Sequence, residues 1–432
     1  MPRKPDTRQD DSKTSQAKAS SATRQHRTGS AAGQAVWADI LNTVFQIVEA
    51  MPRWLLIAIV VVVLVAALLI VFNVGGVGSA VGLYPPPSAT AEVVAPQTVS
   101  GTTTPQDTAQ TPWPVYFTDP KYPDKKANHH GGLDEKLTAF INTAGTSVDM
   151  AIYQLDLPNV TQALIDAKKR GAVVRVVTDI DILKDAKENP SFKKLQAAGI
   201  KVVGGNANAI MHDKFVVVDG SAVWAGSWNF TDNDTYRYNN NGLIIPSKEL
   251  AKNYTVTFEK MFIDNKFGPQ RKPGGTTPKL VVDGIPIENY FAPEDKVAEK
   301  IVARLKLAGQ SIQFMAFSFT DDAIGDVVRS RAGAGVKVQG VFEKTGSETQ
   351  YSEYGRMKQM GLDVLQDGNP YLMHHKVFII DGQTVILGSF NFSQNAETEN
   401  DENLLIIDDA RIAQAFSAEF QKVYQRAKAA GS

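Results

Sequence analysis

The 432-residue chain contains no cysteine. That absence excludes a disulfide framework, a thiolate metal site and a cysteine nucleophile, and it leaves the redox compartment open. Neither sign of charge is in surplus: 45 Lys and Arg stand against 46 Asp and Glu, a formal net charge of −1. Such a balance excludes an overall basic footprint, but not a local basic groove. Residues 1–36 have almost no large apolar side chain and are rich in Ser, Thr, Gln, Ala, Lys and Arg. They lack the means to bury a core and are expected to be disordered.

One long apolar run exists. Leu55 to Phe72 carries no polar residue and is led by Trp54. As a helix it rises roughly 27 Å, close to the thickness of a bilayer core. A transmembrane helix is therefore expected over 54–73. A cleaved signal peptide fits poorly, because the preceding region is too long. Before it, Trp37, Ile40, Leu41, Val44, Phe45 and Val48 recur at helical spacing, which predicts an amphipathic helix over 37–52. That helix either lies in the membrane interface or extends the spanning helix. Eight Lys and Arg precede the run, and none follows until Lys121. Basic flanks stay on the cytoplasmic side, so the bulk of the chain is expected outside the cytoplasmic membrane. Residues 84–114, rich in Pro, Thr, Ser, Ala and Gln, read as an extended linker.

From Val115 onward the pattern is globular and written twice. His212-Asp213-Lys214, four apolar residues, Asp219, six residues and Gly226-Ser227-Trp228-Asn229 recur as His374-His375-Lys376, four apolar residues, Asp381, six residues and Gly388-Ser389-Phe390-Asn391. The register continues through Asn241-Gly-Leu-Ile-Ile and Asn403-Leu-Leu-Ile-Ile. Upstream, Ser147–Tyr153 matches Ser311–Phe317, and the strand ending at Asp179 matches the one ending at Glu343. Strands alternate with helical stretches, which predicts an α/β layered domain for each half, with a parallel or mixed sheet. The halves are expected over 115–264 and 287–430, with 265–286, rich in Gly, Pro and Thr, connecting them.

A purely structural repeat preserves apolar positions and glycines. Here His, Lys, Asp, Ser and Asn recur as well. In a strand, residues two apart share a face, about 7 Å apart along the chain, so His212 projects with Lys214 and His374 with Lys376. Asp219-Gly220 and Asp381-Gly382 read as turns into the next strand. Two His can supply the nucleophile and the acid that a phosphodiester needs, and Lys and Asn can hold its phosphoryl oxygens. No metal ligand set is visible, and a Lys beside each His disfavours a cation, so no metal or cofactor is expected. His129-His130 reads as a polar loop, His375 as facing away from His374, and Asp179 and Glu343 as either functional strand ends or turn caps.

The paired motif resembles the phospholipase D superfamily, over about residues 115–430. The tail from Asn391 to Asn403 is most similar to the branch holding small bacterial endonucleases and the mitochondrial cardiolipin hydrolase. That resemblance implies two tandem halves related by a pseudo-two-fold axis and meeting at one site within a monomeric catalytic region. It implies His212 and His374 as the nucleophile and acid/base pair, with Lys214, Asp219, Lys376 and Asp381 completing the catalytic motifs. It places Asn229 and Asn391, with Ser227 and Ser389 beside them, on the substrate, and Glu402 as a residue that orients a His. The position equivalent to Glu402 in the first half is Asn240, so the two His are not equivalent. The expected activity is hydrolysis of phospholipid phosphodiesters through a phosphohistidine. A metal-independent endonuclease and a cardiolipin synthase-like phosphatidyl transferase stay open as alternatives, and with them a nucleic-acid partner.

The orientation is testable. External protease on intact cells is expected to cut the 84–114 linker and release a soluble fragment. Protection until lysis would reverse the assignment.

Overall fold

The computed structural model describes residues 111–431. The tail 1–36, the helices expected over 37–52 and 54–73, and most of the linker lie outside the described residues. Among the described residues no helix is long and apolar enough to cross a membrane. The end of the expected linker is already part of the fold: Trp113 is buried, and its indole N–H donates to Asp283 at 2.8 Å.

The first half is a seven-stranded sheet ordered β1-β8-β6-β5-β2-β3-β4. These strands are β1 (Val115–Phe117), β2 (Ser147–Ile152), β3 (Val173–Asp179), β4 (Lys201–Gly205), β5 (Lys214–Val218), β6 (Ala222–Gly226) and β8 (Asn241–Ile245), with the short β7 (Tyr238–Asn239) outside the sheet. β2, β3 and β4 run parallel, and β5, β6, β8 and β1 join antiparallel. The sheet is thus mixed. The second half repeats the order with β9 (Lys279–Val282), β10 (Ile285–Ala292), β11 (Ser311–Ala316), β12 (Lys337–Phe342), β13 (Asp363–Gln366), β15 (Lys376–Ile380), β16 (Thr384–Gly388) and β17 (Glu402–Asp408); β14 (Leu372–Met373) stands outside it. β9 is an added edge strand, so residues 265–286 do more than connect the halves.

β5 and β15 show why the sheets lie back to back. Phe215 and Val217 point into the same core as Val377 and Ile379, together with the helices Lys248–Phe262 and Ala410–Ala429. Val216 and Val218 point the other way, into the outer core of the first half, and Phe378 and Ile380 into that of the second. Each strand is buried on both faces, which is what an unbroken apolar run provides.

The halves are stitched symmetrically. β14 pairs in parallel with β7, and Met211 bridges to Asp401. Asn206 Nδ2 donates to Glu399 O and Asp401, while Asn369 Nδ2 donates to Arg237 O and Asn239. One fastening has no counterpart. Arg271, from the connection, is buried with Asp401 and Glu294 at 3.0 Å each and Asp213 at 3.9 Å.

Asp219 and Asp381 do not reach the site expected for them. Each follows the strand that begins with its motif Lys, and so sits roughly 23 Å along an extended chain from its His. Asp219 takes a left-handed φ of 52° at the start of the three-residue turn to β6, and Asp381 a φ of 53° in the equivalent turn. Asp and Gly tolerate that conformation, and paired positive φ suits a hairpin. The Asp219 carboxylate accepts from the backbone N–H groups of Gly145, Thr146 and Ser147 at 2.7–2.8 Å, and Asp381 from those of Gly309, Gln310 and Ser311 at 2.7–2.8 Å. Their catalytic assignment is corrected: both hold the loop that enters the strand next to the motif. Burial alone raises the Asp219 pKa, but these N–H groups outweigh it and hold the group down to about 2.

Asp219→Ala is therefore expected to cost about 1–2 kcal/mol of stability, measured by urea unfolding, with turnover per folded molecule kept. The folded pKa lies below the unfolded one, so this contribution is present above about pH 4 and lost as pH falls through about 2. A large loss of kcat at full foldedness contradicts the assignment. Arg271→Met leaves three buried carboxylates without their cation and is expected to cost about 3–5 kcal/mol. Burial raises Asp213 to about 7 and Asp401 to about 6, against the pull of Arg271. A raised folded pKa means that stability falls as pH rises through that window. The variant's unfolding free energy should fall more steeply with pH than the wild type's between about 4 and 7; a flat difference would mean that Arg271 does not hold these charges.

Candidate active site

Both motif strands deliver their first residues to the seam between the halves. The His212 backbone N–H donates to Asp401 O at 3.0 Å, and that of His374 to Asn239 O at 2.9 Å. Each His is thus fixed by backbone of the opposite half. His212, Lys214, His374 and Lys376 are all buried. Each Lys Nζ reaches back to the carbonyl of its own motif His, at 2.7 Å for Lys214 and 2.9 Å for Lys376. An aromatic ring lies beneath each pair. Tyr153 meets His212 edge to face at 5.5 Å and Phe317 meets His374 at 4.7 Å, with the Lys214 and Lys376 ammonium groups 5.5 and 4.6 Å from the same two rings. The aligned aromatics at the ends of the matching segments were the available signal for these walls.

The rings are held through Nδ1, again from across the seam. His212 Nδ1 lies 2.9 Å from both oxygens of Glu402. A carboxylate can only accept, so Nδ1 carries the proton and Nε2 keeps its lone pair. His374 Nδ1 lies 2.9 Å from Asn240 Oδ1. The amide is oriented by its other contacts: Oδ1 also accepts from Ser227 Oγ at 2.9 Å, and Nδ2 donates to Asp234 Oδ1 at 3.1 Å. Neither His Nε2 has a hydrogen-bond partner among the described residues. Ser227 and Ser389, expected on the substrate, are fully buried. Ser389 Oγ donates to Glu402 at 2.6 Å, so both hydroxyls orient the partner of a His. Asn229 Nδ2 leans on Asp234 at 3.3 Å, while the carboxamide oxygens of Asn229 and Asn391 are buried without a partner.

Close approach explains the glycines that precede these Ser residues. A Cβ on Gly226 or Gly388 would lie 2.3 Å from the carbonyl oxygen of Asn241 or Asn403. The second motif residues interlock too. Asn403 Nδ2 donates to Asp213 at 2.8 Å, and Asn241 Nδ2 contacts His375 Nδ1 at 2.8 Å. His375 is thus buried away from the reacting face. Asp179 and Glu343 cap the short helices that follow them. Trp228 and Phe230 fill core.

Burial dominates the electrostatics. It pushes His212 down to about 4, against Glu402, and His374 well below the usual range, helped by Lys376 and Lys214. It lowers Lys214 to about 8 and holds Lys376 well below its ordinary range. Glu402, although burial opposes it, is held below its ordinary range by His212, Lys214 and Ser389 and is a carboxylate. The site therefore presents a neutral His212 with a free lone pair, a second His on a neutral amide, and two lysines. His129 lies apart, with its ring nitrogens 2.7 and 3.0 Å from Asp124 and Asp232. Among the described residues no group of three or more His, Asp or Glu is placed to hold a metal ion.

Comparison with known proteins agrees with this geometry. The family model described as "Cardiolipin synthase, PLD-like domain" matches residues 137–262 and 301–424, more than half of the chain and one segment in each half. The chain is 34% identical over 121 residues to the mitochondrial cardiolipin hydrolase of Chlamydomonas reinhardtii, covering 28% of this chain and 54% of that protein. It is 31% identical over 130 residues to the phospholipase D of Rickettsia prowazekii, covering 30% of this chain and 63% of that one. The chain thus spans about half to two thirds of the length of these curated relatives. The phosphatidylserine synthase of Haemophilus influenzae shares the fold at a TM-score of 0.54 and 12% identity, over 72% of this chain and 86% of that chain. With a motif-bearing segment matched in each half and both motif pairs meeting at one seam, the chain belongs to the phospholipase D-like family.

Proposed function

We propose that the chain is a phosphodiesterase that hydrolyses phospholipid phosphodiester bonds outside the cytoplasmic membrane, tethered by the apolar run Leu55–Phe72. The observation that carries the chemistry is the pairing of His212 with Glu402 across the seam. A neutral imidazole with Nδ1–H on a carboxylate offers Nε2 as a nucleophile, and the carboxylate stabilises the cationic ring once Nε2 has bonded to phosphorus. In the first step the His212 Nε2–P bond forms and the P–O bond to the leaving alcohol breaks, and His374 gives that oxygen its proton. In the second step water attacks phosphorus as His374 takes its proton, and the P–N bond breaks. Lys214, Lys376, Asn229 and Asn391 surround the phosphoryl oxygens. The lipid substrate rests on the names of the cardiolipin hydrolase and phospholipase D relatives and on the tether that keeps the site near a bilayer.

The test is acid quenching of the full chain with vesicles of phosphorus-labelled phospholipid, beside labelled single-stranded DNA. Label is expected on His212 with lipid. His212→Ala and His374→Ala are each expected to lower turnover by about 10²–10⁴-fold with the fold intact, and chelators to leave it unchanged. Turnover of DNA alone would replace this reading by a nuclease. Headgroup exchange without net hydrolysis would replace it by a transferase. Label on His374 would exchange the two roles.

A further inference from the structure

The repeat breaks at two positions whose side chains touch. Glu402 aligns with Asn240, so the second half has a carboxylate where the first has an amide. Six residues earlier the difference reverses: Asp234 aligns with Ala396, which is buried. Asp234 lies in the helix Asp232–Tyr236, and its carboxylate is 3.1 Å from Asn240 Nδ2 and 3.4 Å from His374 Nδ1. It also accepts from Thr231 Oγ at 2.9 Å and from the Asn229 backbone N–H and Nδ2 at 3.3 Å each. Asp234 is buried, and His374 stands with Lys214 and Lys376 among the groups that its charge reaches.

Resting on the phosphodiesterase reading, we infer that Asp234, acting through and beside Asn240, is the positioning carboxylate of His374, and that it does for the leaving-group acid what Glu402 does for the nucleophile. The first half has moved its carboxylate from the strand end to the preceding helix and kept an amide as the bridge. The consequence is a division of labour. A carboxylate directly on Nδ1, as at His212, fixes the tautomer with Nε2 free, makes Nε2 more basic and stabilises the ring once it is cationic. An amide oxygen on Nδ1, backed by a carboxylate at 3.4 Å, holds the ring in the same tautomer yet binds an added proton less tightly, which suits an acid that must release it. The other groups that face His374 are Lys376 on β15, Lys214 on β5, His212, His375 and the Phe317 ring. Four of these oppose a positive ring. Within this set Asp234 supplies the compensating charge nearest to His374 in the first half.

The test uses the full chain with Asp234→Asn, Asp234→Ala, Asn240→Glu and the double variant Asp234→Ala/Asn240→Glu. The double variant rebuilds in the first half the arrangement of the second. Turnover is measured on a dialkyl phosphodiester, whose leaving group needs a proton, and on a nitrophenyl phosphodiester, whose leaving group does not. Asp234→Asn is expected to lose about 100-fold on the alkyl ester and about 10-fold less than that on the nitrophenyl ester, since general acid help is worth about 10²–10⁴-fold. The double variant is expected to recover most of the alkyl loss. Equal losses on both esters, or a double variant no better than Asp234→Ala, would overturn the inference. In parallel, ring nitrogen NMR of the histidine-labelled chain, assigned with His374→Gln, should show the His374 ring titrating lower in Asp234→Asn than in wild type. If wild type hydrolyses neither ester, the phosphodiesterase reading fails, and the ring titration alone decides the placement of Asp234: an unchanged ring sinks it.

Discussion

Everything in this molecule depends on one arrangement: each motif histidine is held from the other half. Backbone N–H groups at 212 and 374 bond across the seam, and so do the Nδ1 contacts to Glu402 and Asn240. A half on its own presents its His and Lys with no ring partner and no carboxylate. The seam must therefore form before the site exists, and the protein devotes much of its buried polarity to it. The Asn206 and Asn369 clamps, the β7–β14 pair and Arg271 all act within a few residues of the reacting groups. Both sheets are rigid where they meet, because β5 and β15 are buried on both faces. A rigid mount is what a site with two His at fixed separation requires.

The parts legible in the sequence were those written twice. The strand-helix order, the two halves, the four motif His and Lys and the asymmetry at Glu402 could all be read because duplication exposes what is kept. Duplication does not say why a residue is kept. Asp219 and Asp381 recur as faithfully as the histidines, yet they fasten the loops Gly145–Ser147 and Gly309–Ser311 at the far ends of the strands. Ser227 and Ser389 recur because a hydroxyl must reach the partner of the opposite His. In both cases the residue type suits chemistry and local structure equally, and only the direction of the side chain separates them.

Much of what could not be read was single-copy. Arg271 lies in a connection whose Gly, Pro and Thr suggest a spacer, and its three carboxylates come from Asp213, Glu294 and Asp401, far away in sequence. Asp234 has no aligned carboxylate, so a comparison of the halves marks it only as a difference. Tyr153 and Phe317 are aligned aromatics at strand ends, but an aromatic there is more often core. Tertiary structure turns each of these into a site residue by bringing a specific neighbour to it.

The charge balance of the seam sets how the site meets its substrate. Burial pushes Lys214 down to about 8, against Glu402, Asp234 and Asp213, and pushes Lys376 well below its ordinary range, helped by Lys214 and opposed by Glu402 and Asp234. Burial and the same lysines depress His374, so the ring to which we assign the acid's part starts without its proton. A phosphodiester brings one negative charge into this group. It lowers the cost of protonating the groups around it, His374 among them. Binding of the anion and loading of the acid are then one linked event. Glu402, whose charge lies against His212 Nδ1, raises that ring's affinity for a proton; what keeps Nε2 free in our reading is burial, which outweighs Glu402.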